Sequence, residues 1–507
     1  YHWLDEDDER RHMTDEEIIR KFVDLKEADL NAEEKEEFIQ VLLDYKEVFS
    51  LRDDIGTSPF MKVKLDLNDT SPFFIRPYAI KEENKKLIDK EMRRGCLLGI
   101  LRKGMSSYSS PVMLSPRKNQ KRLRIITDFR VLNTRLVKLN PSIPLVRDAI
   151  QMLGASDCEV ISVMDLRDAY HTLRLHKDSQ QYCGVTPYMG SPTYIYQRLG
   201  MGLTVSPAIW QNFINTVLDE LPNRKYHLAI MDDCLIHSKR NIHTREIVYL
   251  FKALIKYGLK ISPRKCQFFR ISLTYMGHTM LIQDNRACIT PLKTHVDAVL
   301  KMNPPKTPKG CKSFVGLVNF LSAYLPELQT ILIPIYESSK KKKVFVWGEA
   351  QQQAFEKVKE LLIKPPVLVM PNQHDLFQLH SDTSKIGTGS ALWQVQENIP
   401  RLCGYFSKKL PDACKRYGIT ELELFGLTCN VAAFKHVLLQ VYFHVYVDHS
   451  AIGYLMKGKK EPKTARIQRL LEILSRYNFS LGYLEGKNMV IADYFSRHPD
   501  NDTDPTD

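Results

Sequence analysis

The residues of greatest chemical promise in this chain are acidic. Asp232 and Asp233 lie between two short apolar arms, 228–231 and 234–236, which read as a tight β-hairpin with two adjacent carboxylates at its tip. Alone, such a pair usually marks a solvated turn, because Asp suits turn backbones for its own reasons. A second stretch changes the reading. The apolar run 160–164 ends in Asp165, so a neighbouring strand can bring a third carboxylate to the same place. Three carboxylates on one sheet can hold two divalent cations about 3.5–4 Å apart, clamping the attacking and leaving oxygens of a phosphoryl transfer. Oxygen-only ligands suit magnesium, two ions per site, with manganese as an alternative.

A second acidic set begins later. An apolar strand from 376 to 380 leads to Asp382, followed by Gly387-Thr388-Gly389. Glu423 lies in a helical stretch over 420–433, Asp448 closes another apolar strand, and Asp493 sits near a final helix. Each of these is more often structural when taken singly. Four in this order, from strand end, helix and neighbouring strand, could bind a second pair of magnesium ions and activate water against a phosphodiester. Glu421 competes with Glu423 for the helical position.

These carboxylates need elements to position them. Residues 1–60 read as helices: Thr14 with Glu17, and Asn31 with Glu34, form capping patterns ahead of apolar positions at helical spacing. Such an acidic pair is expected to pack on the catalytic body, or to be a remnant of a preceding segment. Alternation over 60–65 predicts a strand, and 81–94 a helix. Two strands joined by a basic turn at 117–122 make a ribbon suited to closing on a triphosphate, because guanidinium groups pair with phosphate oxygens two bonds at a time. An amphipathic helix over 247–259 and a strand pair over 273–281 follow, then helices over 292–336.

Composition sets outer bounds. With 507 residues, 44% hydrophobic and 26% charged, the chain has material for several globular domains. No apolar run approaches the roughly 18 residues of a spanning helix, so no membrane partner is expected. Ten cysteines lack any C-x-x-C pair, which points to free thiols rather than zinc or disulfides. The net charge of +13 is uneven: residues 1–60 carry −11 and the remainder +24, the footprint of a nucleic-acid binder. Tyr1 in place of Met is expected of a chain released from a longer precursor, and equally of a truncated one.

Over residues 75–500 the sequence resembles the reverse transcriptase and ribonuclease H of gypsy-type (Metaviridae-like) LTR retrotransposons and their retroviral relatives. The blocks that carry the resemblance are VISVMDLRDAYHTLRL around Asp165, TDFRVLN after the basic ribbon, QRLGMGLTVSPAIWQNFIN with Gly202, Ser206, Pro207 and Gln211, LAIMDDCLIHS, and CKSFVGLVNFLSAYLPEL. The family hairpin reads Tyr-x-Asp-Asp, whereas Ile230 stands at the Tyr position here, and Met201 stands where relatives have Phe or Gln.

The resemblance implies an α+β right-hand polymerase of fingers, palm and thumb, followed by an α/β ribonuclease H-like domain. Its expected segments are an acidic helical extension (1–75), fingers and palm (76–285), thumb (286–343), a short bridge (344–372), the ribonuclease H domain (373–500) and a disordered tail (501–507). It implies catalytic, metal-binding roles for Asp165, Asp232 and Asp233 in synthesis, and for Asp382, Glu423, Asp448 and Asp493 in RNA cleavage. Glu423 is preferred over Glu421 because the family ligand directly precedes two apolar residues. Arg117 and Arg124 are implied as triphosphate contacts, Tyr170 as the ring under the sugar that excludes a 2′-hydroxyl, and Met201 as a support for nucleotide and template. Tyr275, Met276, Gly277 and His278 match the element that grips the primer.

The implied partners are an RNA template, a DNA primer, the RNA–DNA hybrid and deoxynucleoside triphosphates. A homodimer is open, as is excision from a Pol polyprotein. Work in cytoplasmic virus-like particles, with product DNA destined for the nucleus, is implied too. The competing expectation is a captured or decayed element protein that binds nucleic acid without polymerising, to which Ile230 and Met201 lend weight.

Overall fold

The computed structural model describes residues 9–116, 123–140, 158–339, 345–372, 374–396, 399–439, 441–447, 452 and 464–483. The chain divides into two compact units, Tyr1–Leu145 with Glu159–Ile271, and Val146–Cys158 with Ser272–Asp507.

In the first unit, helices α1 (Asp15–Phe22) and α2 (Ala32–Asp44) both open with the expected reciprocal caps, Thr14 with Glu17 and Asn31 with Glu34. Their apolar faces, Ile18, Ile19, Phe38 and Leu42, join the main core. Phe38 meets the rings of Phe268 and Phe269 edge-on at 5.2 and 5.1 Å. Acidic residues between and on these helices find basic partners: Arg240 pairs with Asp29 and Glu34, and the buried Arg270 with Asp24 and Glu27. Helices read from the acidic N-terminal segment are therefore part of this core. Helix α3 (Glu82–Leu97) follows, preceded by a strand shorter than the alternation suggested, Lys62–Val63.

The basic ribbon forms as β1 (Val112–Pro116) against β2 (Leu123–Thr127); its turn, with Arg117, lies outside the described residues, as does the side chain of Arg124. A four-stranded antiparallel sheet is the centre of the unit. It comprises β3 (Val160–Asp165), β4 (His227–Ile230), β5 (Asp233–Ser238) and β6 (Gln267–Arg270), in the order β4-β5-β3-β6. Val160 to Met164 are buried without alternation, as expected of a strand covered on both faces. Helices α4 (Ser206–Asp219) and α5 (Arg240–Lys256) add Phe213, Ile214, Val217, Ile247, Leu250 and Leu254 to that core.

The second unit starts with β7 (Ser272–Tyr275), β8 (His278–Gln283) and β9 (Arg286–Pro291), a meander closed by β10 (Leu368–Val369). The expected boundary at 285/286 thus falls inside the β8–β9 turn. Helices α6 (Lys293–Leu300), α7 (Pro308–Phe320) and α8 (Glu349–Ile363) share one core, with the rings of Phe314 and Phe355 4.9 Å apart. Residues 345–372 of the expected bridge therefore share a core with α6 and α7 and pair with the meander, because the apolar face of α8 has those helices as its cover.

A five-stranded sheet completes the unit: β11 (Leu376–Thr383), β12 (Gly387–Gln396), β13 (Ile399–Lys409), β14 (Tyr442–Val447) and β15 (Asn478–Tyr483), ordered β13-β12-β11-β14-β15. β11, β14 and β15 run parallel, and α9 (Ile419–Ala433) and α10 (Ala465–Leu474) share a core with the inward residues of this sheet. Among the described residues no helix is long and apolar enough to cross a membrane, and the ten cysteines form no disulfide.

Candidate active sites

The register of the central sheet brings the first acidic set together. Asp233 opens β5 directly opposite Asp165 at the end of β3, and pairs on its other side with Ile230. The turn itself is Met231-Asp232, with Met231 in the left-handed region at φ 55°. Such a backbone costs a non-glycine residue about 1–2 kcal/mol, so it must be held. Helix α4 holds it. Trp210 Nε1 donates to the Met231 carbonyl at 2.6 Å, Gln211 Oε1 accepts from Met231 N at 3.0 Å, and Gln211 Nε2 donates to the Ala229 carbonyl at 2.9 Å. Both side chains are fully buried. Leu166 N donates to the Asp232 carbonyl at 2.7 Å, fastening the strand end to the turn.

The two hairpin carboxylates are crowded, by burial and by Asp165 across the strands. Burial, reinforced by Asp165 and Asp233, pushes Asp232 up to about 6. Burial and Asp165 raise Asp233 as well. One oxygen of Asp232, Oδ1, is buried with no hydrogen-bond partner. An uncompensated acidic oxygen of this kind calls for a cation. One is nearby: Lys265 Nζ contacts both oxygens of Asp165, 2.8 Å from Oδ2. Among the described residues no three His, Cys, Asp or Glu groups are already disposed to hold a metal. Asp165 is turned to the lysine instead. The donor set and the orphaned oxygen fit a divalent ion that displaces Lys265.

Tyr170 is half-buried near this cluster; burial and the charge of Asp232 push its phenol up to about 12. Its ring lies 6.3 Å from that of Trp210. Met201 precedes Gly202, whose φ of 93° forms a turn held by Asn133, which donates to the Gly202 carbonyl at 2.8 Å and accepts from Thr204 N at 2.9 Å. Ile230 is 2% exposed, so its side chain packs in the core rather than lining the site.

Of the four expected primer contacts, Tyr275 and His278 are buried. His278 Nδ1 meets the Tyr324 hydroxyl at 2.8 Å, and its ring stacks on Phe320 at 5.2 Å. Both residues face inward because β7 and β8 alternate, leaving Met276 and Gly277 at the open turn. Gly277, at φ 80°, takes a backbone that L side chains rarely adopt, and a Cβ there would come within 2.8 Å of the Phe320 ring.

In the second set, Asp382 lies exposed near the end of β11, opposite Gly389. Glu423 lies in α9, one turn before Gly426, whose Cα abuts Thr383 so tightly that a Cβ would fall 2.0 Å from its hydroxyl. Asn430 on the same helix donates to Ser381 Oγ and Thr388 Oγ1, both at 2.8 Å, fixing the helix against this strand end. Glu421 is committed to Arg466 of α10 at 3.0 Å. Val447 pairs with Ser381, next to Asp382, but Asp448 and Asp493 lie outside the described residues. Sequence reasoning missed Lys265, whose Pro-Arg-Lys turn carries no pattern, and the role of Trp210, which reads as one more apolar helix residue.

Residues 116–280 match the family described as reverse transcriptase (RNA-dependent DNA polymerase), and 347–445 match the RNase H-like domain found in reverse transcriptase. The Tf2-3 and Tf2-4 transposon polyproteins of Schizosaccharomyces pombe are 28% identical over 436 residues, covering 85% of this chain and 32% of theirs. The chain thus spans about a third of the length of these curated relatives. A solved foamy viral protease-reverse transcriptase in complex with RNA/DNA hybrid is similar in fold, with a TM-score of 0.77 at 18% identity over 94% of this chain and 63% of that one. The same enzyme with dsDNA gives 0.78 at 18% identity, covering 94% and 98%.

Proposed function

From a chain that carries a reverse transcriptase domain followed by an RNase H-like domain, in the manner of gypsy-type retrotransposon polyproteins, we propose a bifunctional enzyme. It copies RNA, and then DNA, into DNA, and degrades the RNA strand of the hybrid. The single observation that carries the synthesis reading is the cross-strand pairing of Asp165 with Asp233 beside Asp232.

Magnesium, or manganese, would be held by Asp165, Asp232 and Asp233, and in the second domain by Asp382, Glu423, Asp448 and Asp493. When bound, such ions acidify the attacking hydroxyl or water and steady charge on the leaving oxygen. The protein's own contribution is position. Trp210 and Gln211 lock the turn that carries Asp232, and the sheet register fixes Asp165 against Asp233. Tyr170 supplies a ring against which a 2′-hydroxyl would clash, favouring deoxynucleotides. Arg117 and Arg124 on the ribbon are suited to the triphosphate. Met201 would support the template, and Met276 with Gly277 the primer end. The reading extends to release from a longer polyprotein, to pairing with a second copy of the chain, and to work in cytoplasmic particles before the DNA reaches the nucleus.

A second reading is nucleic-acid binding without synthesis, to which Ile230 at the position of the family tyrosine lends weight. Primer extension separates the two. With magnesium present, the unaltered chain should extend a primer; Asp232→Asn should abolish synthesis alone, and Asp448→Asn RNA cleavage alone. A chain that binds hybrid yet never extends a primer supports the second reading.

A further inference from the structure

We propose that Asp53, in the N-terminal segment, is a positioning residue for synthesis: through Arg167 it fixes the backbone that carries Asp165. The proposal rests on the synthesis reading above and adds to it a part for a segment outside the matched polymerase domain. Ile261 bridges two chain segments at once, Phe49 in parallel and Leu166 in antiparallel. Ser50 N donates to the Ile261 carbonyl at 2.9 Å, and Ile261 N to that of Val48 at 2.8 Å. On the other side Arg167 N donates to Lys260 O at 2.7 Å, and Ser262 N to Asp165 O at 2.9 Å. A three-ply patch results. Its outer ply is N-terminal and its inner ply is the stretch leaving Asp165.

The outer ply continues into Arg52-Asp53-Asp54. Asp53 takes a left-handed backbone, φ 61°, and its carboxylate gathers three guanidinium groups: Arg10 at 3.2 Å, Arg94 at 3.5 Å and Arg167 at 3.4 Å. Arg167 Nε also lies 3.1 Å from Asp168, and Arg94 lies 3.6 Å from Glu91, so neighbouring acids share the load. Lys260, which accepts the Arg167 amide, is itself tied to Asp54 at 2.5 Å. Side-chain exposures of 11% for Arg10 and 26% for Asp53 and Arg167 put the junction partly out of water, where charge pairs are less screened. Without the Asp53 charge, three guanidinium groups are left facing one another. Arg167, two residues from Asp165, is the one whose displacement reaches the site.

Asp53→Asn tests this in the full chain, because Asn keeps the size and tolerates the left-handed backbone. Primer extension should lose about ten- to a hundredfold in kcat, with KM for deoxynucleotide moving less than about threefold. RNA cleavage by the second domain should stay unchanged, and the melting temperature should fall only slightly, as for the loss of a partly exposed charge cluster. Arg167→Gln should give a similar loss, and the double variant should be no worse than the worse single one, as groups acting through one contact behave. Unaltered kcat in Asp53→Asn overturns the proposal, and so does an equal loss of both activities with a strongly lowered melting temperature. Asp232→Asn run alongside keeps the two ideas apart. Synthesis that survives Asp232→Asn, or an unaltered chain that extends no primer, removes the underlying reading and this proposal with it; synthesis lost in Asp232→Asn but intact in Asp53→Asn removes this proposal alone.

Discussion

At the scale of single residues, the acidic hairpin is a place where the fold works against itself. Asp232 titrates at about 6 in the folded chain, against about 3.9 in an unfolded one. The fold therefore binds this proton more tightly than the unfolded chain does. Its contribution to stability is complete below about pH 4 and is lost as pH rises through about 6. Asp232→Asn should then stabilise the protein in divalent-free buffer near pH 7.5 by roughly 1–3 kcal/mol, and change little near pH 4. Urea unfolding at the two pH values reads this. Lower stability of the variant at the higher pH would contradict the crowding argument. Ile230 makes the opposite kind of demand. Packed at 2% exposure, it should cost roughly 2–4 kcal/mol when replaced by Ala, through lost burial and the cavity left behind.

At the scale of elements, two helices are fitted to the strand ends that carry carboxylates. Gln211 on α4 satisfies a backbone N–H and a backbone carbonyl of the hairpin. Gln211→Leu would strand both, at a cost of about 2–3 kcal/mol, and should reduce primer extension more than hybrid cleavage; equal loss of the two activities would speak against a local effect. Gly426 on α9 has the complementary role, since Thr383 occupies the space a Cβ needs. Gly426→Ala should push the helix from β11 at a cost of about 1–3 kcal/mol. RNA cleavage should fall while primer extension persists, and unaltered cleavage would show that the Glu423 helix does not need this close approach.

At the scale of the whole molecule, the charge distribution matters more than any one pair. The body beyond residue 60 carries +24, and the acids of the N-terminal segment are partly spent on Arg240 and Arg270. Duplex binding should therefore release counterions, and log affinity should fall linearly with log salt, with a slope of about −0.9 per phosphate neutralised. Titration of a labelled hybrid between low and moderate salt measures the slope, and a flat response would remove the electrostatic argument for a nucleic-acid partner.

Much of this chain could be read before folding, where chemistry is written in local order. Asp165 after an apolar run, the Asp232-Asp233 pair between two apolar arms, and the Thr14 and Asn31 caps depend on neighbours a few residues away. So do the ordered acids Asp382 and Glu423, and the motif blocks that point to a reverse transcriptase and its RNase H. What only tertiary structure decided are contacts between distant segments. Lys265 on Asp165, Trp210 on the hairpin turn, the inward-facing Tyr275 and His278, the place of 345–372 in one core with α6 and α7, and the arginines around Asp53 are of this kind. Sequence spacing carries no trace of them, because each depends on which strands lie side by side and which faces are covered, and those are set by burial of the whole core rather than by any local pattern.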